Sequence, residues 1–298
     1  MTNRWEIVIR TLYQDKAVAF FRRHFPTCCF WLGVKNWYYL QTGKKLNYKK
    51  VNNINEKMMW LSRFWQHPLK TKCADKYAVR DYIKQCGLEH ILIPLLKIYS
   101  SVDQINFSEL PQKFAIKCNH GSGFNIICTD KSSFDFKQAI SQLKEWHNTN
   151  YGFRYYEKHY VTIERKIIVE ELLDIEPWEI QVYCINGIPD FLLVCKKHLN
   201  GEYSAYSYTL DWKRIAKRIG EEQILSENLP RPPKLEELIQ DAITLAKPFP
   251  FVRVDFYQKG PDYYFAEMTF TPSANILFRY TEETINAMGK KLHLPPKI

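Results

Sequence analysis

Two acidic residues near the C-terminus are the best placed in this sequence to do chemistry. Asp255 and Glu267 each lie in an apolar run, and a short turn through Lys259 and Gly260 joins the two runs. In a hairpin the two carboxylates would lie side by side, and such hard oxygen ligands, together with a polyphosphate, suit Mg²⁺. Arg253 alternates with Asp255 on one strand face and adds a planar cation. The alternative interpretation is a structural Arg–Asp–Glu salt-bridge network.

A glycine-containing loop is the second candidate. An apolar run ends in Lys117, the loop supplies His120, Gly121, Ser122 and Gly123, and a second apolar run follows. Glycines let the backbone approach a ligand, and backbone N–H groups bind phosphate oxygens, so the loop has the composition of a phosphate-covering loop. It is neither a Walker A loop nor a Rossmann fingerprint. A Gly-Ser-Gly hairpin with an exposed lysine explains the pattern about as well.

A third segment pairs acidic residues with apolar runs. One run ends in Glu170 and Glu171, and the next begins at Glu179. This arrangement suits a hinge whose backbone contacts a purine edge and whose carboxylate binds a ribose hydroxyl. Solvent-facing charges at strand ends are the alternative interpretation.

The elements that must position these residues can be read from periodicity. Helical spacing and short apolar runs alternate through the body, which predicts a mixed α and β protein with at least eight strands. Residues 200–208 are predicted to form a hairpin or mobile loop, and residues 230–233 a surface connection. The predicted helices are 4–23, 55–65, 75–86, 134–147 and 235–246, and the predicted strands are 91–99, 114–118, 125–128, 166–173, 180–185, 191–195, 251–257 and 263–268.

Composition sets limits on the class of protein. The 298 residues are 46% hydrophobic and 25% charged, which is typical of a globular protein and excludes a disordered, collagen-like or coiled-coil chain. Residues 1–60 hold eleven basic and three acidic side chains, so they carry +8 of the net charge of +10. This basic segment predicts either a docking surface for a polyanion or a well-solvated helical face.

The sequence shows neither a membrane span nor a secretory signal peptide, so we expect a cytoplasmic protein. Aromatic and basic side chains between residues 20 and 37 would still allow peripheral contact with an anionic membrane surface. The eight cysteines include no C-x-x-C pair, which favours reduced, buried thiols over zinc sites or disulfides.

Together and in this order, the segments resemble the TupA-like ATP-grasp family, which is found with bacterial surface-polysaccharide biosynthesis. Upstream motifs support the resemblance, in particular Asp75-Lys76 followed by Val79-Arg80, and it covers roughly residues 40–298. It implies an α+β ATP-grasp fold in which two subdomains clasp ATP. The implied divisions are a basic helical region at 1–70, a small subdomain with the phosphate loop at 71–175, and a large subdomain with the Mg²⁺-binding hairpin at 176–298.

The resemblance also implies roles for the nucleotide-binding residues. Lys76 and Lys117 match the two phosphate lysines of the superfamily, and residues 120–123 match the loop that covers the phosphates. Glu179 falls where an acidic residue meets the ribose or the acceptor, and Lys196 is a further anion contact. The hinge that meets adenine corresponds to Glu170, Glu171, Leu172 and Leu173.

On the catalytic side, Asp255 and Glu267 match the Mg²⁺ ligands and Thr269 takes the position of a third ligand. Many ATP-grasp enzymes have asparagine there. Arg253 matches an arginine that steadies the reacting carboxylate or phosphate, and Arg80 is a further anion contact. The family usually continues Thr-Pro-Gly, whereas this chain has Ser273 in the glycine position.

The activity that follows is an ATP- and Mg²⁺-dependent carboxylate–amine ligase that works through an acyl phosphate. The family setting implies capsule or O-antigen biosynthesis, with an acidic, uronic-acid-containing glycan as carboxylate and an amino acid or amino sugar as amine. The alternatives are an ATP-grasp sugar kinase and a glycosyltransferase or glycan-binding protein of the same pathway. Nucleic-acid binding is not expected, since no nucleic-acid motif is present.

Overall fold

The structure is a computed structural model that describes residues 26–173, 178–197, 203–221 and 229–298. The predicted helix at 4–23 lies outside these residues. The chain divides by its internal contacts into two units, residues 1–47 and residues 48–298. The first unit contains helix α1, Pro26–Thr42, whose single charged residue is Lys35.

In the second unit the predicted helices 55–65, 134–147 and 235–246 are found within two residues of their bounds, and the one predicted at 75–86 begins only at Val79. Helices Pro68–Ala74, Tyr151–Arg154 and Glu282–Lys291 were not predicted. Helix α2, Ile54–Phe64, is preceded by the N-cap residue Asn53, whose side chain accepts from the Glu56 amide in a capping box. Short 3₁₀ turns punctuate the chain, among them Lys158–Tyr160. The remaining helices are α2 Ile54–Phe64, α3 Pro68–Ala74, α4 Val79–Gln85, α5 Phe136–Asn148, α6 Tyr151–Arg154, α7 Leu235–Ala246 and α8 Glu282–Lys291.

The described residues form nine strands in two antiparallel sheets. The smaller sheet has the order β1-β4-β2-β3 and the larger β7-β6-β5-β8-β9. This arrangement confirms the predicted α+β class. The strands are β1 Leu95–Tyr99, β2 Phe114–Cys118, β3 Asn125–Cys128, β4 Ile167–Glu171, β5 Trp178–Ile185, β6 Ile188–Lys197, β7 Tyr203–Tyr208, β8 Phe251–Lys259 and β9 Asp262–Thr269.

Two of the sequence predictions need correction. The strand predicted from residue 91 begins only at Leu95, because Glu89–Ile91 forms a 3₁₀ turn and Pro94 follows shortly after. Residues 203–208 form edge strand β7, which pairs antiparallel with β6, so of the two predicted alternatives the hairpin is confirmed and the mobile loop is wrong. Tyr206, Ser207 and Tyr208 are all buried, although the segment is polar in composition.

The core of the larger sheet explains how the site is presented. Alternate residues of β5 and β8, namely Ile180, Val182 and Val254, are fully buried, and helix α7 packs on these strands. The intervening positions, Gln181 and Asp255, therefore face the other side of the sheet. All eight cysteines are free, but only Cys73, Cys118, Cys128 and Cys184 are buried as predicted, and Cys28 is exposed. No helix of the described residues is long and apolar enough to cross a membrane.

A left-handed turn follows β9. Ser273, Ala274 and Asn275 all have positive φ, at 51°, 52° and 69°. Non-glycine residues rarely adopt this conformation because Cβ crowds the following carbonyl. Asn275 is held there, since its buried side chain accepts a hydrogen bond from the Ser62 hydroxyl at 3.2 Å.

Ser273→Gly should therefore stabilise the protein. Ser273 is exposed, so its replacement removes the left-handed penalty at little cost in packing, and we expect a gain of about 1 kcal/mol in the free energy of unfolding. Chemical denaturation would measure it. A loss of stability would show that the serine hydroxyl holds the turn.

Candidate active site

The two predicted carboxylates face each other across the β8–β9 hairpin. Asp255 pairs directly with Glu267 in the strand register, with a bulge immediately after Asp255. Arg253 donates from Nε to Asp255 Oδ1 at 2.8 Å and from Nη2 to Oδ2 at 2.5 Å. The same Nη2 lies 3.6 Å from Glu267 Oε1. The side-by-side arrangement expected from the sequence is confirmed.

Burial and charge act in opposition at this pair. Burial raises the pKa of Asp255, and the Arg253 guanidinium opposes the rise. Burial also acts to raise the pKa of Glu267, but Lys76 and Arg253 outweigh it and hold that pKa below its usual range. The hairpin thus holds two carboxylates whose negative charge depends on neighbouring cations.

The Thr269 hydroxyl is hydrogen-bonded to both Glu267 and Arg253. It donates to Glu267 Oε1 at 2.8 Å and accepts from Arg253 Nη2 at 3.2 Å. In this position Thr269 orients the Glu267 carboxylate. Its role as a third metal ligand stays a prediction.

Lys76 links the hairpin to the glycine-containing loop. Its ammonium donates to the Gly121 carbonyl at 2.7 Å and lies 3.5 Å from Glu267 Oε2. Lys76 follows helix α3, and its backbone N–H donates to the Asn119 carbonyl at 3.1 Å. The predicted phosphate lysine, the predicted phosphate loop and one predicted metal ligand therefore meet at one place.

Asn119 anchors the base of the loop. Its fully buried side chain donates to Asp75 Oδ1 at 2.8 Å and to the Glu164 carbonyl at 2.9 Å, and it accepts from the Lys166 amide at 2.7 Å. Asp75 in turn accepts from the Tyr77 amide at 2.8 Å. These bonds fix the chain on either side of Lys76 against the start of the loop.

Within the loop, His120 faces inward. Its Nε2 lies 3.2 Å from the carbonyls of Trp146 and Thr149 at the end of helix α5. Burial lowers the pKa of His120 to about 4, so the imidazole is neutral near pH 7. His120 is therefore an anchor of the loop, while Ser122 and Gly123 are exposed.

Steric constraints explain why glycine occupies positions 121 and 123 of the loop. A Cβ at Gly121 would lie 2.8 Å from the Tyr151 ring, closer than any side chain could approach. Gly123 has φ of 76°, the left-handed conformation that glycine adopts without cost. Gly121 therefore allows close packing against Tyr151, and Gly123 allows the turn at an exposed position.

A second group of charges surrounds Glu170 on the smaller sheet. The Glu170 carboxylate is 2.7 Å from Lys117 Nζ and 3.2 Å from Arg80 Nη1, and all three side chains are largely buried. Arg80 also donates to the Ile93 carbonyl at 2.8 Å. Arg80 and Lys117 thus lie at Glu170, on the smaller sheet. The Glu170 side chain binds these two cations, which leaves the hinge backbone for the predicted adenine contact.

The rest of the predicted hinge follows β4. Glu171 is exposed and its amide donates to the Pro94 carbonyl at 3.0 Å, Leu172 is half-buried and Leu173 is buried. Residues 174–177 lie outside the described part of the chain. The roles of these residues toward adenine stay predictions.

The strand register places Glu179 and Lys196 on opposite faces of the larger sheet. Glu179 pairs with Tyr257 and lies on the face of the sheet that carries Asp255. Lys196 pairs with Trp178, one residue earlier on β5, so its position faces the other side. The structure brings Glu179 to the site and places Lys196 on the opposite face.

Sequence reasoning missed several residues around the site. Tyr257 lies on the site face, and burial raises its pKa, with smaller contributions from four nearby carboxylates of which Glu179 is the largest. Because side chains alternate between the two faces of a strand, the position of Tyr257 two residues after Asp255 could have identified it. Asn119, Tyr151 and Glu157 lie in loops and short helices, where no periodicity marks them.

The residues present fit a Mg²⁺ ion. In the described part of the chain no group of three or more His, Cys, Asp or Glu side chains could hold a metal. The hairpin does supply two facing carboxylates. In nucleotide sites Mg²⁺ is characteristically bound by one or two carboxylates together with phosphates and water. Asp255 and Glu267 form such a pair, and Arg253 joins them in the ion-pair network that was the alternative interpretation. Their role as Mg²⁺ ligands stays a prediction.

Comparison with known proteins gives the family. The family model for TupA-like ATP-grasp proteins matches residues 56–293. The chain belongs to the TupA-like ATP-grasp family and has the ATP-grasp fold. No curated protein matches the chain significantly.

Solved structures of ATP-grasp ligases are similar over much of the chain. A D-alanine–D-alanine ligase from Bacillus anthracis is 17% identical, with 80% of this chain and 65% of that chain covered and a TM-score of 0.43. The corresponding ligase from Helicobacter pylori is 13% identical, with 75% and 60% covered and a TM-score of 0.41. The ATP-grasp ligase PsnB, complexed with a precursor variant, Mg and ADP, is 11% identical, with 77% and 62% covered and a TM-score of 0.43. The chain spans less than two thirds of each of these.

Asn119→Ala should destabilise the protein because it removes the side-chain partner of two buried backbone groups, the Glu164 carbonyl and the Lys166 amide, and one of the partners of Asp75. We expect a loss of about 1–3 kcal/mol in the free energy of unfolding, measured by chemical denaturation. Asn106→Ala, at an exposed loop asparagine, is the matched control and should cost less. Equal losses would contradict the anchoring role.

Proposed function

We propose that this protein is an ATP-dependent carboxylate–amine ligase. The observation that carries the proposal is the convergence of Asp255, Glu267, Arg253 and Lys76 beside the Gly121 loop. Opposed carboxylates, two cations and a glycine-containing loop in one place are the parts that phosphoryl transfer from a Mg²⁺-bound nucleotide requires.

In the proposed reaction, a substrate carboxylate oxygen attacks the γ-phosphorus of ATP and ADP leaves. An amine then attacks the carbonyl carbon of the acyl phosphate, so that an amide forms, inorganic phosphate leaves and the amine loses a proton. Asp255 and Glu267 would hold Mg²⁺, which supplies positive charge against the phosphate oxygens. Arg253 stands beside both carboxylates and would stabilise charge on the transferring group.

The loop and the lysines have complementary tasks. Lys76, at the meeting point of loop and hairpin, and Lys117, held by Glu170, would contact the phosphates. Gly121 and Gly123 let the backbone of the loop cover the same phosphates. This cover excludes water, which would otherwise hydrolyse the acyl phosphate.

The substrate class follows from the family setting. TupA-like proteins occur with bacterial surface-polysaccharide biosynthesis, so we propose a uronic-acid-containing glycan of a capsule or O-antigen as the carboxylate and an amino acid or amino sugar as the amine. Purified protein with Mg·ATP and candidate pairs should release ADP and phosphate and form a new amide, detected by mass spectrometry. A stable phosphosugar would instead show a kinase, and absence of ATP binding would favour a glycosyltransferase or glycan-binding protein.

Asp255→Asn and Glu267→Gln should each reduce turnover at least a hundredfold, because each removes a negative charge that the cation at the phosphates requires. ADP release measures turnover. Asp262→Asn at the tip of the same hairpin is the control: Asp262 pairs with Lys234 at 2.6 Å at the surface, and its loss should leave turnover within about twofold. Activity that survives either site variant would refute the metal assignment.

We also propose that the basic N-terminal segment contacts the anionic inner face of the bacterial membrane. Helix α1 exposes Leu32, Tyr39 and Leu40, and Lys35 lies on the same helical face at spacings of three and four residues from Leu32 and Tyr39. Exposed apolar side chains flanked by lysine suit an anionic lipid surface. The net charge of +8 in residues 1–60 supports the same partner.

Neutralising four basic residues of this segment should weaken binding to vesicles of anionic lipid by more than tenfold and leave ADP affinity unchanged, since each basic residue near such a surface contributes about 1 kcal/mol. Vesicle co-sedimentation measures the binding to lipid, and calorimetry measures the ADP affinity. Equal loss of both would return the segment to a structural role. The substituted residues are Arg22, Arg23, Lys49 and Lys50, and the charge-matched control replaces the exposed Lys84, Lys144, Lys213 and Lys291.

A further inference from the structure

Glu157 is a buried carboxylate that the proposed reaction does not use. It lies between helix α6 and the 3₁₀ turn Lys158–Tyr160, and only 5% of it is exposed. Its amide donates to the Gly152 carbonyl at 2.9 Å. A Cβ at Gly152 would lie 2.8 Å from the Glu157 carbonyl, so the backbone here is fixed by close approach.

One side of Glu157 contacts the metal-binding hairpin. Its Oε1 accepts a hydrogen bond from the hydroxyl of Thr271, which is itself only 3% exposed. Thr271 follows Thr269 by two residues and Glu267 by four. Glu157 therefore holds the end of the strand that presents the Glu267 carboxylate.

The other side of Glu157 leads to the phosphate loop. Tyr151 precedes Gly152, whose carbonyl accepts from the Glu157 amide at 2.9 Å, and the Tyr151 hydroxyl acts to lower the pKa of the Glu157 carboxyl against the larger effect of burial. The ring of Tyr151 lies directly against Gly121, and it also meets the Phe124 ring edge-on with centroids 5.5 Å apart. Tyr151 thus supports the loop at the glycine whose carbonyl accepts from Lys76.

Stability alone does not account for a carboxylate in this place. A buried acidic group costs desolvation, and burial accordingly raises the pKa of Glu157 to about 7, a rise opposed by Thr271, Tyr151 and Lys70. Lys70 is also buried, at 3% exposure, and its ammonium lies 5.9 Å from the Phe270 ring centroid. Well-packed apolar residues commonly replace such buried charges without loss of stability.

We infer that Glu157 is a positioning residue that couples the phosphate loop to the metal-binding end of the hairpin, so that nucleotide phosphates and Mg²⁺ bind cooperatively. The inference rests on the proposed function. Lys76 also joins the two parts, but phosphate oxygens compete for its ammonium. The connection through Tyr151, Glu157 and Thr271 is buried and persists when phosphates are bound.

The test is the effect of Mg²⁺ on ADP affinity, measured by calorimetry with and without the metal. In Glu157→Gln, ADP alone should bind within about twofold of wild type, whereas the enhancement by Mg²⁺ should fall at least fivefold, the lower end of ordinary coupling between sites. Thr271→Val and Tyr151→Phe, which each remove one hydroxyl from Glu157, should show the same loss. Thr271→Ser keeps the hydroxyl and should restore the enhancement.

The control is Glu145→Gln on the exposed face of helix α5, which should change neither affinity. Hydrogen exchange gives a readout without metal: Thr271→Val should speed exchange of the amides of residues 120–124 at least threefold. A purely structural role would lower the melting temperature and leave both readouts unchanged, which would overturn the inference. If Glu157→Gln fails to fold, the two hydroxyl variants decide the question. A wild-type protein that binds no ADP in Mg²⁺ would overturn the proposed function as well.

Discussion

The site depends on one electrostatic constraint, the placement of two carboxylates opposite each other in a hairpin whose other residues are largely apolar. Asp255 has no exposed surface, and Glu267 stands directly across from it. Like charges in this position repel and are stable only with cations beside them. Arg253 supplies one from the same strand, and Lys76 supplies another from outside the sheet. The positions of the surrounding elements follow from the need to bring these cations to the hairpin.

Lys76 reaches the hairpin because the smaller sheet is fixed at its side. Asn119 joins the end of β2 to the residue before Lys76 and to the segment that leads into β4. On the same sheet, Glu170 forms ion pairs with Lys117 and Arg80. Each sheet therefore holds acidic groups and cations in a fixed arrangement. The charges at the site are set in place by folding, which is the condition for electrostatic stabilisation of a transition state without reorganisation.

Local patterns predicted much of this arrangement. Two apolar runs and a short turn predicted that Asp255 and Glu267 lie side by side, and alternation placed Arg253 with Asp255, whereas the bulge after Asp255 was not predicted. The face of Lys196 was not predictable in the same way, because it depends on how β5 and β6 align. The anchoring role of Asn119 was not predicted, because its partners Asp75 and Lys166 lie 44 and 47 residues away in the chain. Glu157 contacts Thr271 across 114 residues from a segment with no periodicity, and only the folded chain shows that contact.

The inward position of His120 has a consequence for motion. Its imidazole is bound to the end of helix α5, and its neighbour Asn119 is bound to the segment before β4. Gly121 is itself held, because its carbonyl accepts from Lys76 and it packs against the Tyr151 ring. Phe124, just before β3, is buried, so Ser122 and Gly123 are the exposed residues left between the anchors. A movement of two residues belongs to the nanosecond-to-microsecond range of loops, faster than the rotation of whole domains.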